Sequence, residues 1–119
     1  MGVMRRTLRV VGLMLGVTCL LSAADIQGVI APWECVKHMV ENGRGKTLRE
    51  QPGCSLMRNY RRETYGLITN DNKYYRLDDP NNEHILQLLQ GTTDKDNLKV
   101  VATGDVEGDT IKVVNMTML

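Results

Sequence analysis

The stretch Thr64–Gly91, TYGLITNDNKYYRLDDPNNEHILQLLQG, changes its periodicity halfway along, and that change decides the fold. Thr64–Thr69 and Lys73–Leu77 are rich in β-branched and aromatic residues. They flank Asn70-Asp71-Asn72, residue types that tolerate the positive φ of a hairpin turn. From Asp79-Pro80 onward the pattern is helical: an N-cap acid, proline at the first helical position, Ile85, Leu86, Leu88 and Leu89 on one face, and Gly91 as the stop. The stretch predicts a hairpin followed at once by a short amphipathic helix.

On the C-terminal side, Leu98–Val106 and Thr110–Met116 are rich in Val, Ile and Thr and enclose Glu107-Gly108-Asp109, which predicts a second hairpin. On the N-terminal side, Asp25–Ala31 alternates around Ile26 and Ile30 and meets Pro32, a residue that ends a strand. Between this first strand and the hairpin lies 33–62. Val36, Met39 and Val40 recur there at helical spacing, Gly43-Arg44-Gly45-Lys46 reads as a loop, and Pro52-Gly53 marks a turn. The segment is expected as an irregular insertion with one or two helical turns. Five strands and one helix, placed between strands three and four, predict a mainly β fold: a five-stranded OB-like Greek-key barrel. Closure into a barrel also protects the edges that short strands would expose.

The first 24 residues have a different character. Arg5, Arg6 and Arg9 precede an uncharged run from Val10 to Leu21 and the small residues Ser22-Ala23-Ala24, the three-part layout of a secretory signal peptide cleaved after Ala24. The run Val10–Ala24, 15 residues long, falls short of the roughly 20 that cross a bilayer as a helix. No transmembrane anchor is expected after cleavage. Cys19 lies in this run, but Gly16-Val17-Thr18 lacks the leucine three positions upstream that marks a lipidated cysteine. Soluble export to the periplasm or beyond is the expectation, with 25–119 as one monomeric domain.

Export changes the charge and the cysteine count. Three of the 15 Lys and Arg lie in the leader and none of the 14 Asp and Glu does, so the mature chain has 12 bases and a net charge of −2. Cys35 and Cys54 remain as an even pair in an oxidising compartment, and a disulfide between them is expected. The alternative use of the same residues is a metal site built from Cys35, His38 and Cys54, with His84 as a further donor. Its spacing is poor, because Cys35-Val36-Lys37-His38 has no second closely spaced pair and a covalent haem needs Cys-x-x-Cys-His. No cofactor is expected. His84 reads as a solvent-facing residue in the first turn of its helix.

The sequences 64–68, 72–78, 98–100 and 103–113, the last reading Thr103-Gly104-Asp105-Val106-Glu107-Gly108-Asp109-Thr110-Ile111-Lys112-Val113, resemble a group of small exported bacterial proteins of uncharacterised role. The similarity spans most of 25–116. It implies an OB-like β-barrel with a cysteine-bearing N-terminal insertion, and it brings no catalytic residues with it. Many members of that group carry further cysteines or histidines beyond the position of Cys54, where this chain has Met57 and Tyr60.

The charges are sorted along the chain. From Lys37 to Arg62 seven bases face two acids, whereas from Glu63 onward five bases face ten acids. Arg58, Arg61 and Arg62, with Tyr60 among them, form the densest group and are the candidate anion-binding residues; Tyr65, Tyr74 and Tyr75 are candidates for stacking on bases or sugars. The competing reading is a solvated basic face with tyrosines half in the core. Catalysis has no motif: there is no Gly-x-Ser-x-Gly, no phosphate-binding glycine loop and no His-Glu-x-x-His. Asp78 and Asp79 suit turn and cap chemistry, and Asp94, Asp96, Asp105, Glu107 and Asp109 fall at loops and hairpin tips where solubility accounts for them. Asp94-Lys95-Asp96-Asn97 lacks the glycine and glutamate of a calcium loop. The reading is a non-catalytic binding module of the bacterial envelope, its partner an anionic envelope ligand or a protein.

Overall fold

A computed structural model of the protein describes residues 23–57 and 64–119. The chain runs β1 (Ala24–Pro32), α1 (Trp33–Asn42), α2 (Arg44–Glu50), a 3-10 turn at Pro52–Cys54, β2 (Tyr65–Ile68), β3 (Tyr74–Asp78) and a 3-10 turn at Pro80–Asn82. It continues through α3 (Glu83–Gln90), a 3-10 turn at Lys95–Asn97, β4 (Lys99–Glu107) and β5 (Thr110–Met118). Residues 1–22 of the expected leader lie outside the described residues; Ala24, its last residue, opens β1 opposite Gly104. All five expected strands are present, each within a residue or two of its expected bounds.

The strands pair in the closed order β1-β2-β3-β5-β4, with β4 returning to β1. Every pairing is antiparallel except β3 with β5, which is parallel from Arg76 opposite Thr110 to Asp78 opposite Lys112. Alternation along each strand divides the residues between two environments. Ile30, Tyr65, Leu67, Leu77, Val100, Ala102, Ile111, Val113 and Met116 point inward and form the main core. The step from Val113 to Met116 breaks the two-residue period. Its cause is a bulge: Thr103 pairs with Asn115 but Gly104 pairs with Val113, leaving Val114 as an extra residue, and Val114 is exposed. Gly104 allows the close approach, since a Cβ there would lie 2.0 Å from the Lys112 carbonyl oxygen.

The helix between β3 and β4 sends Ile85 and Leu89 into the main core, both with no exposed surface. A helix can reach the interior of a closed ring only through an open end, so α3 closes one. It starts later than its sequence suggests. Asp79-Pro80 begins a 3-10 turn in which Asn81 and Asn82 take left-handed backbone, at φ 58° and 53°, before the α-helix begins at Glu83. Asparagine tolerates that conformation better than most residues. The Asp79 carboxylate still serves the helix, accepting hydrogen bonds from the Ile85 N–H at 2.9 Å and from His84 Nδ1 at 2.9 Å. His84 is therefore a half-buried partner of a buried acid, and the expectation of a solvent-facing histidine is corrected.

The larger correction concerns 33–62. Expected as an irregular insertion with one or two helical turns, its described residues form two α-helices, which with α3 make three where one defined helix was expected, so the fold mixes helix and strand in similar amounts among the described residues. Gly43, at φ 94°, is the joint between α1 and α2, but Arg44-Gly45-Lys46 is helical rather than loop. Glycine in a helix costs roughly 1 kcal/mol relative to alanine. Packing of Leu48 against a second core offsets that cost, helped by Thr47, whose hydroxyl and amide both donate to the Gly43 carbonyl, at 2.9 and 3.1 Å.

Candidate functional site

The helical lobe sits on the outside of the ring. Ala31, Ile68 and Tyr74 face away from the main core and meet Cys35, Val36 and Met39 of α1, with Trp33, Val40 and Leu48 around them. Gly66 lets α1 approach the strand: a Cβ there would lie 2.7 Å from Val36 Cγ2 and 2.9 Å from Trp33 Cε3. The Trp33 and Tyr74 rings stand 5.9 Å apart at 59°, within the range of tilted aromatic pairs. Gly66→Ala is therefore expected to cost about 1–3 kcal/mol by overpacking and to shift Trp33 fluorescence as α1 lifts. Urea denaturation with that fluorescence as readout checks it; wild-type stability in the variant would contradict this account of the contact.

The expected disulfide is present between Cys35 and Cys54, with Cα atoms 5.9 Å apart. It joins the first turn of α1 to the 3-10 turn after α2, so the two cysteines are also two of the five buried members of the second core. Beside it lies an open cleft of about 400 Å³ lined by Glu34, Cys35, His38, Gln51, Gly53 and Cys54. The fold thus gathers Cys35, His38 and Cys54 along one cleft. With the sulfurs bonded to each other, neither offers a thiolate, the form that binds a metal.

Immediately after Cys54, the chain is tied down by a residue whose role the sequence did not indicate. Asp96 accepts hydrogen bonds from the Ser55 hydroxyl and the Leu56 N–H, each at 2.6 Å, and Leu56 enters the main core. A second anchor follows: the Thr64 carbonyl accepts the Trp33 N–H at 2.8 Å. Arg58, Tyr60, Arg61 and Arg62 lie outside the described residues, between these two anchors.

Among the described residues the lobe carries Lys37, Arg44, Lys46 and Arg49 against Glu34, Glu41 and Glu50. None of these four bases forms an ion pair among the described residues, where the only close charge pairs are His84 with Asp79 and Lys112 with Glu107. Arg44 Nη2 instead donates to Asn97 Oδ1 at 2.8 Å. The tyrosines divide. Tyr65 has no exposed surface and offers no ring to a ligand, whereas Tyr74 and Tyr75 are half-buried. In the β2–β3 turn the Thr69 hydroxyl donates to Asp71, which holds that carboxyl below its usual range.

No helix among the described residues is long and apolar enough to cross a membrane. Comparison of the chain with protein families, with curated proteins and with solved structures finds no match in any of the three.

Proposed function

We propose that the protein is an exported, non-catalytic binding module of the cell envelope that holds an anionic ligand on its basic lobe. The ring order β1-β2-β3-β5-β4, the parallel β3–β5 pair and the helix between β3 and β4 support an OB-type barrel as its scaffold. The leader-like first 24 residues and the Cys35–Cys54 bond support release into the periplasm or the medium. In OB modules that bind oligonucleotides, strands two and three present the ligand face. Here α1 covers the outward residues Gly66, Ile68 and Tyr74, so the ligand meets helices instead of strands.

The observation that carries the reading is the unpaired state of Lys37, Arg44, Lys46 and Arg49 among the described residues, on the lobe that leads into Arg58, Arg61 and Arg62. Bases without acid partners contribute their full field to a ligand, and that field acts collectively over a screening length of about 8–10 Å. Reversing Arg58, Arg61 and Arg62 to Glu is expected to abolish retention on anionic vesicles, an acidic glycan or single-stranded DNA at low salt, with the melting transition kept. Wild type is expected to elute as salt rises. Absence of salt-sensitive retention of wild type on all three would reduce the basic segment to a solvated face.

A further inference from the structure

A second cleft lies in the acidic half of the molecule. It has a volume of about 420 Å³ and is lined by Asn72, Lys73, Tyr74, Tyr75, Gly108 and Asp109. Two hairpin turns form its walls. The β2–β3 turn is closed by the Asn72 N–H to the Thr69 carbonyl at 3.1 Å and the Thr69 N–H to the Lys73 carbonyl at 2.9 Å. The β4–β5 turn is laid beside β3 by the parallel pairing, and the Arg76 N–H donates to the Asp109 carbonyl at 2.6 Å. Backbone bonds thus fix both walls before any ligand arrives.

The lining is chemically mixed in a particular way. Tyr74 and Tyr75 are half-buried on opposite faces of β3, Tyr74 beside Trp33 in the second core and Tyr75 against the main core, so each ring is held by packing and loses little freedom on contact. Asn72 and Asp109 offer planar amide and carboxylate groups, and among the described residues the side-chain bond to the Asp109 carboxylate is a long one, 3.4 Å, from the Thr110 hydroxyl. A polyanion is disfavoured, because Asp105, Glu107 and Asp109 share one hairpin and Lys112 is engaged with Glu107 at 3.4 Å. Lys73 at the opposite wall disfavours a bare cation.

Rings with an apolar face, neighbouring planar hydrogen-bonding groups and little net charge match an uncharged ligand that has hydroxyls at its rim and C–H groups on its face. We propose that this cleft binds a neutral saccharide unit, its C–H face against a tyrosine ring and its hydroxyls on Asn72 and Asp109. This site is separate from the basic lobe and stands whether or not that lobe binds a polyanion.

The test is an amide NMR titration of the isotope-labelled mature protein with tetra-N-acetylchitotetraose, with maltotetraose, and with tetralysine as a cationic control. At least one sugar is expected to shift the signals of residues 72–75 and 108–109 at millimolar concentration. Asp109→Ala and Asn72→Gly, the latter keeping the positive φ of residue 72 accessible, are each expected to weaken that binding roughly tenfold. Silence of the cleft towards both sugars overturns the proposal, as do shifts that neither variant weakens. A response to tetralysine in place of the sugars also overturns it and assigns the cleft to a basic peptide.

Discussion

Replacing Cys35 with serine is expected to destabilise the oxidised protein by about 2–5 kcal/mol and to do so mainly in the helical lobe. Among the described residues the second core has five buried members, Ala31, Cys35, Val36, Met39 and Cys54, and the disulfide joins two of them while closing a loop with a sequence separation of 19. In the chain-entropy description a loop of that length contributes roughly 3 kcal/mol. The main core shares none of these residues. Hydrogen exchange should therefore quicken across α1 and α2 while β4 and β5 stay protected, since local opening draws on local contacts. A Cys35→Ser variant that melts with oxidised wild type would contradict the clamp.

Truncating Leu89 to alanine is expected to cost about 2–5 kcal/mol, the range for emptying a buried leucine site, whereas Gln87→Ala should stay within about 0.5 kcal/mol. Leu89 has no exposed surface and shares the main core with Leu67, Val100 and Ile111, while Gln87 is exposed on the same helix. Here the loss is global, because the main core that holds Leu89 draws residues from all five strands. Chemical denaturation of both variants gives the comparison. Equal stabilities would mean that α3 does not close the ring.

The contrast between these two variants follows the division between what the sequence discloses and what only the fold does. The strands were legible because β-branched runs end at turn residues whose backbone demands are local, as at Asn70-Asp71-Asn72 and Glu107-Gly108-Asp109. The disulfide was legible from compartment and cysteine parity. The second helix was not. Gly43 and Gly45 lower the helical propensity of that stretch, and what restores it is Leu48 reaching a core assembled from β1, β2 and β3. The role of Asp96 was hidden for a stronger reason, since its partners Ser55 and Leu56 lie 41 and 40 residues away. Asp79 showed half its part: the capping acid was visible beside Pro80, but not the left-handed Asn81 and Asn82 that carry the chain back so that its carboxylate meets the Ile85 amide.

For the candidate site, charge and residue type were readable and placement was not. The excess of bases from Lys37 to Arg62 was plain in the sequence. That four of those bases ride on two helices clamped over the outer face of the ring follows only from the packing at Gly66. Tyr65 and Tyr75 read alike as aromatic strand residues, yet Tyr65 is wholly enclosed and Tyr75 lines a cleft.

The central claim, an exported binding module clamped by a disulfide and not a thiolate metal protein, is tested most directly by native and denaturing intact mass spectrometry of the protein recovered from its exporting cell. The account predicts a chain beginning at Asp25, lighter than its reduced form by the two hydrogens lost in forming the Cys35–Cys54 bond, with no lipid and no metal. A chain with two free thiols that retains zinc or copper under native conditions, or one that still carries the leader, would contradict it.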